Sequence, residues 1–596
     1  MAGFPESHMA SLLVGTMMSG IASHGSGSIT LVDNLMTTQN IVVNGTTVTF
    51  GTDVIVGASV GATTAALLTF LQNSVDANIS KLSYTASGTT SILCTSIVSG
   101  TAGNAYTLSV GTATGHVTVS GATLSGGAPA QAAGAGTPNI PVLIGRQMDA
   151  DLLFGQGSEL ASAFRSYFNN NFANELWGLP MAEPTNASRA TGTITVNTTA
   201  TEAGTISLYI AGHNIQINVY TTDDANAIAQ NIVSAITDLP DLPVTATSSA
   251  AIVTITCKWG GVTGNDITLT DSYYGIIGGD QLPIGLTLSY SGFTLTGGVG
   301  TPVFTTAIAN MGEYEYEFVS LPWTDSNTLL AWEFEYGFSD EGRWGWMRQH
   351  FGHIFSARRD TYANLVTWGL TRNGKTTSVM GLESTVLSPN YEWSAAYTAK
   401  AARALINDPA RPLQTLHLEE IIPAKFHERF NLLELNTMAG SGLCTQRTLS
   451  DNIPMIARET TTYQVNLYGF GDDAFELVTT LATLAKIIRN QRYAITTKYP
   501  RHKLADDDTK FGPGQAIVTP KIIKAELVAE YAQDEWNGLV ENLTQFKAHL
   551  IVERDPNDPN RVNVLYPPDL INQLRIFAVL AQFRLQYDRG VDAAII

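Results

Sequence analysis

The chain has 596 residues, of which only 14% are charged, a net charge of −19 and 53 glycines. That length exceeds what one hydrophobic core supports and sets an expectation of about three to five domains. Charge this sparse suits β-rich modules with hydroxylated faces, or a surface consumed by contacts with copies of itself, and the acidic balance excludes a nucleic-acid binder, which needs Lys and Arg to neutralise phosphates.

The first apolar stretch, MASLLVGTMMSGIAS (9–23), has the length and small-residue end of a secretory leader. Glu6 and His8 stand where a leader carries Lys or Arg, so it is not read as one. No run of 18 apolar residues follows, and the protein is expected to remain in a reducing cytoplasm without entering a membrane.

Residues 28–127 and 193–298 then follow one plan. Each opens on a strand (SITL, 28–31; TITV, 193–196) and continues into a hairpin, IVVNGTTVTF (41–50) or LYIAGHNIQINV (208–219), turning at Asn44-Gly45 or Ala211-Gly212-His213. A helix comes next, ATTAALLTFLQNSV or DDANAIAQNIVSAI; in the second, Ile228, Ile232 and Ile236 recur every four residues behind an acidic start. Two strands flank a Gly-x-x-Gly-Asn turn, Gly100 to Asn104 or Gly261 to Asn265, and each copy closes on Thr-Leu-Ser/Thr-Gly-Gly. The turns join strand to strand, so they are not phosphate loops. Cys94 and Cys257 are expected to be small core residues, and with Cys444 they form neither a CxxC nor a disulfide framework.

Outside these two modules the chain alternates. Strand 141–145, helix 158–171 and strand 175–180 precede the second module. A helix near 304–311, strand 315–323, a helical stretch 328–338, strand 353–359 and helix 360–373 follow it. That order predicts an α/β layer with a mostly parallel sheet. Further on, a strand is expected over 458–469 and an amphipathic helix over 473–493, its stripe formed by Leu477, Leu481, Leu484 and Ile488. The densest charge follows in KYPRHKLADDDTKFGPGQAIVTP (498–520), then a helix over 520–536 and two strand-like runs, RVNVLYPP and RIFAVLAQFRLQY.

None of the polar clusters reads as catalytic or metal-binding. His350 and His353 lack a third ligand, and His417, Glu419, Glu420, His427 and Glu428 do not form HExxH. No Gly-x-Ser-x-Gly elbow or Asp-His-Ser set occurs. Asp506, Asp507 and Asp508 are consecutive, so their carboxylates diverge where a calcium loop would space them. With Arg501, Lys503 and Lys510 they read as an ion-paired loop that fixes register at a border between subunits.

In VLIGRQ (142–147), FGQGSELASAFR (154–165), GRWGWMRQHFGHIFSARRDT (342–361), NDPARPLQTL (407–416), KYPRHKLADD…FGPGQAIVTP and PPDLINQLRIFAVLAQFRL (567–585) the chain resembles the tail sheath proteins of contractile-tailed phages, the Mu-like branch in particular. The resemblance implies an α+β multidomain fold. Its parts would be an N-terminal arm (1–25), a first insertion module (26–130), a subtilisin-like but non-catalytic α/β core (131–190 and 300–450), a second module (191–299) and a C-terminal sheath domain with a strand arm (451–596). It implies a virion protein without cofactor or metal that forms stacked hexameric rings around a tail tube, bounded by baseplate and tail terminator proteins, and contracts to drive the tube through the host envelope. Arms donated between subunits would add strands to neighbouring sheets. The candidates are Met9, Leu12, Leu13, Val14 and Ile21 at one end and Phe577, Val579, Phe583 and Leu585 at the other, where odd-numbered positions from 577 are apolar. Two other readings remain: a secreted adhesin-like protein binding through its β-rich repeats, and a hydrolase on the α/β layer.

Overall fold

The computed structural model describes residues 9–18, 24–33, 37–127, 134–575 and 577–581. The chain divides into two compact units, a larger one of Phe4–Pro409 with Leu413–Ala485 and a smaller one of Ala410–Pro412 with Lys486–Ile596.

An eight-stranded sheet organises the larger unit, in the order Pro454–Arg458, Cys444–Thr448, Thr377–Glu383, His353–Asp360, Tyr316–Ser320, Ala10–Thr16, Leu176–Met181 and Val142–Leu143. All neighbours are parallel except the two edge strands. A parallel sheet must be covered on both faces, and successive side chains of one strand reach opposite covers. Met380 packs with Trp393, Ala396 and Tyr397 of helix Asn390–Asn407, whereas its neighbour Val379 meets Leu365 and Met438 of helices Tyr362–Gly369 and Leu432–Gly440. Helix Glu159–Asn170, capped by the Ser158 hydroxyl accepting from Ala161 N, lies so close to the central strand that a Cβ on Gly15 would sit 3.1 Å from Leu160 Cα.

Here the structure corrects the N-terminal arm. Ala10–Thr16 is an interior strand, hydrogen-bonded on one edge to Leu176–Met181 and on the other to Tyr316–Ser320 of the same chain. Leu12, Leu13 and Val14 are 0%, 0% and 1% exposed, and Met9 is half-buried against the core. A strand with both ladders filled and both faces covered has nothing left to donate. Ile21 lies outside the described residues.

Two segments carry the same architecture. In the first, a four-stranded sheet Leu82–Ala86, Ser91–Ser99, His24–Leu31, Val117–Val119 faces a three-stranded sheet Thr46–Thr49, Asn40–Val43, Leu108–Ser109. In the second, Val244–Ser249, Ile252–Gly260, Arg189–Thr198, Thr287–Tyr290 faces His213–Val219, Gly204–Ile210, Leu269–Asp271, strand for equivalent strand. The tight turns fall where the sequence places them, at Asn44-Gly45 and Ala211-Gly212, all four with positive φ. Cys94 and Cys257 are buried, as are Ile228, Ile232 and Ile236 of helix Ala225–Thr237.

The Gly-x-x-Gly-Asn turns do more than reverse the chain. Asn104 Nδ2 donates to Gly127 O (2.7 Å) while its Oδ1 accepts from Gly127 N (2.8 Å), and Asn265 holds Gly298 in the same way (2.9 and 2.8 Å). The closing Gly-Gly is required by this clamp. Gly126 and Gly297 adopt φ of +83° and +82°, and a Cβ on Gly127 or Gly298 would lie 2.5 Å from the Gly100 or Gly261 carbonyl. The sequence reading missed the clamp because its partners are 23 and 33 residues apart. Asn265→Ala leaves a peptide N–H and C=O without partners and is expected to destabilise the second segment by about 1–3 kcal/mol. The readouts are faster proteolysis within 193–298 and a lower first thermal transition; wild-type behaviour in both would sink the idea.

The two segments are anchored differently. Among the described residues, the core of the first is built from its own side chains. The second shares its core with Tyr391 of the sheet layer, against which Trp259 packs edge-on, and Arg359 and Asn390 both bond Asp266 (2.7 Å to its carbonyl, 2.9 Å to its carboxylate).

In the smaller unit, helix Pro520–Trp536, capped by Thr519, packs with helix Leu543–His549 and hairpin Ile551–Arg554/Val562–Leu565 around Tyr531 and Phe546, whose rings stack at 3.8 Å. Three expectations shift. The boundary expected at 451 falls at Ala485/Lys486, because Pro454–Arg458 is an edge strand of the large sheet. The strand expected over 458–469 is a loop carrying isolated bridges. The helix expected over 473–493 spans Val478–Lys498, since Asp472 closes a turn ahead of it by accepting from Tyr463 OH (2.5 Å) and Ala474 N (3.1 Å).

Candidate functional site

The charge-dense loop runs between the ends of helices Val478–Lys498 and Pro520–Trp536. Two short parallel strands cross it, Lys503 opposite Ile517 and Leu504 opposite Val518. Lys503 Nζ reaches Gln515 Oε1 (3.3 Å).

Its three aspartates do separate jobs. Asp506 accepts from Arg554 Nη1 (2.9 Å), so its ion pair is with the 551–565 hairpin rather than with Arg501 or Lys510. Asp507 accepts from Lys521 N (2.8 Å) at the start of the following helix, and that bond with the Thr519 hydroxyl holds its carboxyl below the usual carboxylate range. Asp508, Arg501 and Lys510 are exposed. Lys498, at the loop's start, pairs with Glu526.

At the C-terminal end, Phe577, Val579 and Leu580 are 84%, 66% and 88% exposed, and residues 577–581 join no sheet among the described residues. Within the second strand-like run, residues 577–581 are therefore unpaired and exposed. Phe583 and Leu585 lie outside the described residues.

The histidines separate as well. His350 meets Glu313 (3.1 Å), while His353 is buried in the sheet and burial alone pushes its imidazole down to about 3. Among the described residues no three His, Cys, Asp or Glu side chains form a metal-binding group, and no helix is long and apolar enough to cross a membrane.

One buried charge was not foreseen. Glu159, first residue of its helix, accepts from Thr16 N at the end of the central strand (2.8 Å). Burial pushes its carboxyl up to about 7, the Thr16 bonds oppose the shift, and the charge of Asp266 adds to it. A carboxyl whose folded pKa is raised binds its proton more tightly folded than unfolded. Stability is then full below about pH 4.5 and is lost as pH rises towards 7, a penalty of about 3 kcal/mol at most. Glu159→Gln is expected to match wild type at pH 4 and to melt higher at pH 8; parallel melting curves across that range would refute it. Only a buried partner 143 positions away makes Glu159 unusual, and no local sequence signal carries that.

Comparison with known proteins gives three results. Residues 471–584 match the family model of the phage tail sheath C-terminal domain. The chain is 38% identical over 454 residues to the Mu-like prophage FluMu tail sheath protein of Haemophilus influenzae, covering 76% of this chain and 91% of that one. Among solved structures it is similar to the sheath tail protein of Desulfitobacterium hafniense (12% identity, 73% of this chain and 94% of that, TM-score 0.37). It is also similar to the sheath tail protein of Listeria innocua (11%, 74% and 90%, TM-score 0.39) and to a chain of the anti-feeding prophage helical sheath in its contracted state (10%, 75% and 89%, TM-score 0.37).

Proposed function

The chain belongs to the phage tail sheath family, and from that premise we propose that it polymerises as stacked hexameric rings around a tail tube and shortens to drive the tube through a host envelope. It is a structural protein of a phage tail, not an enzyme. Rings would stack between baseplate and terminator, assembled in the host cytoplasm. Contraction would be a switch between two packings of one interface, needing no nucleotide or cofactor.

The observation that carries this reading is the run 577–581, which leaves Phe577, Val579 and Leu580 exposed and joins no sheet among the described residues. A second copy supplies what is missing if the segment adds to a neighbour's sheet. Phe577, Val579, Phe583 and Leu585 remain the arm residues of the proposal. The 501–510 loop, with Arg501, Lys510 and Asp508 exposed, is the proposed charged border between subunits.

We read the α/β layer as non-catalytic, a counterpart of subtilisin-like layers, and the 26–130 and 191–299 segments as a duplication inserted into it. The self-contained core of the first supports its being the later addition. Both are proposed to project outwards, where an assembled lattice would leave room for an insertion.

Negative-stain electron microscopy of the purified protein is the test. Hollow tubes with sixfold end views are expected at high concentration; uniform monomers with carbohydrate affinity would favour the adhesin alternative.

A further inference from the structure

The larger unit carries an apolar tip that its own fold leaves uncovered. Residues 466–470 form a turn presenting Leu467, Tyr468 and Phe470, which are 95%, 85% and 70% exposed. The turn is rigidly built. Asn466 N donates to Phe470 O (2.9 Å), and Asn466 Oδ1 accepts from the backbone N–H groups of Tyr468 (2.9 Å) and Phe470 (3.2 Å). Below it, Asn373 Oδ1 accepts from Gln464 N and Val465 N (2.8 and 3.0 Å) while its Nδ2 donates to Val465 O (2.9 Å). At the base, Lys375 Nζ lies 4.6 Å from the Phe475 ring centre. A preformed tip of three large apolar side chains is costly in water and cheap to bury, since little remains to be ordered on binding.

The smaller unit carries a matching recess. Tyr499, Phe511 and Ile522 line an open groove of about 560 Å³, a size suited to burying a few side chains. Asp507 and Glu526 also face it, but the first is held by Lys521 N and the second by Lys498. Charge fits as well. Residues 492–524 hold seven Lys or Arg against three Asp, the basic island of a chain of net −19. Residues 466–476 hold Asp472, Asp473 and Glu476 and no cation, although Glu476 already meets Arg458.

We infer that the 466–470 tip of one copy seats in the Tyr499–Phe511–Ile522 groove of a neighbouring copy, its acidic flank against the basic island. Apolar filling would supply the affinity, and the charges would fix orientation and speed encounter. This rests on the self-assembly proposed above and names the segments that meet.

Cysteine crosslinking tests it. The native Cys94, Cys257 and Cys444 are buried, so added surface thiols report alone. Tyr468→Cys and Thr509→Cys are purified separately, mixed, assembled and treated with copper phenanthroline. A 468–509 disulfide dimer, at least tenfold above either variant alone, is expected. In parallel, Leu467→Ser/Tyr468→Ser/Phe470→Ser should raise the concentration needed for assembly about a hundredfold with an unchanged melting temperature. Polymers that form without the mixed crosslink, or a Tyr468→Cys homodimer in excess, would overturn the pairing and leave self-assembly standing. Wild-type protein that never assembles would remove the self-assembly reading, and this inference with it.

Discussion

Deleting residues 576–596 is expected to leave a folded chain that no longer polymerises. The apolar core of the smaller unit closes at Leu570, which bridges Val540, and Gln573 Nε2 donates to Ala410 O just ahead of the cut. Phe577, Val579 and Leu580 are exposed, so removing them forfeits little of the chain's own packing, and stability should change by less than about 1 kcal/mol. Association is another matter. Burying one such side chain against a partner contributes about 1.5–3 kcal/mol, so the three together supply roughly 5–9 kcal/mol before the segment is ordered. If ordering offsets all but about 3 kcal/mol, the concentration needed for assembly still rises about a hundredfold. Sedimentation velocity and circular dichroism read the two halves separately. Tubes at wild-type concentration would sink strand exchange at this end. A truncated chain that unfolds would place the segment in its own subunit's fold.

What the sequence discloses depends on how local the cause is. Helix Pro520–Trp536 is legible to the residue because Thr519 and Pro520 mark its start. The Ile228, Ile232, Ile236 stripe is legible because one face of that helix is buried and the other is wet. Helix Asn390–Asn407 eluded the reading for the opposite reason. It is buried on nearly every side, its small residues Ala395, Ala396, Ala399, Ala401 and Ala402 letting neighbours approach, so it shows no apolar period. The candidate interface divides along the same line. Composition alone singles out the 501–510 loop, but that Asp506 belongs to Arg554 and Asp507 to a helix start is set by residues 14 to 48 positions away. The exposed tip at 466–470 hid inside a run whose β-propensity suggested a strand.

The sharpest separation between sequence and structure lies at Leu13, where a single substitution is expected to have a large effect on folding. An apolar run ahead of the first module suits a donated arm and an interior parallel strand equally, because both are apolar on every side chain. Its partners decide. Leu13 pairs with Gly178 on one side and Ser320 on the other, more than 160 and 300 residues away, and packs with Phe154, Phe164 and Tyr167. Gly178 has no room for a side chain: a Cβ there would sit 2.6 Å from Phe154 Cζ, so this layer cannot shift to absorb a change. Leu13→Ala opens a cavity costing about 2–5 kcal/mol. Leu13→Asp adds a carboxyl with no partner, a further several kcal/mol whether it stays charged or takes up a proton. The sum approaches the whole stability of a typical domain, about 5–15 kcal/mol. Leu13→Asp is therefore expected to yield insoluble or protease-sensitive protein, and Leu13→Ala a chain that folds with a much lower melting temperature and still assembles in the cold. A donated arm would behave in the reverse way, with Leu13→Asp a soluble monomer of wild-type melting temperature that forms no tubes. That result would mean the Ala10–Thr16 strand is exchanged between copies after all, each copy's sheet being completed by the strand of another.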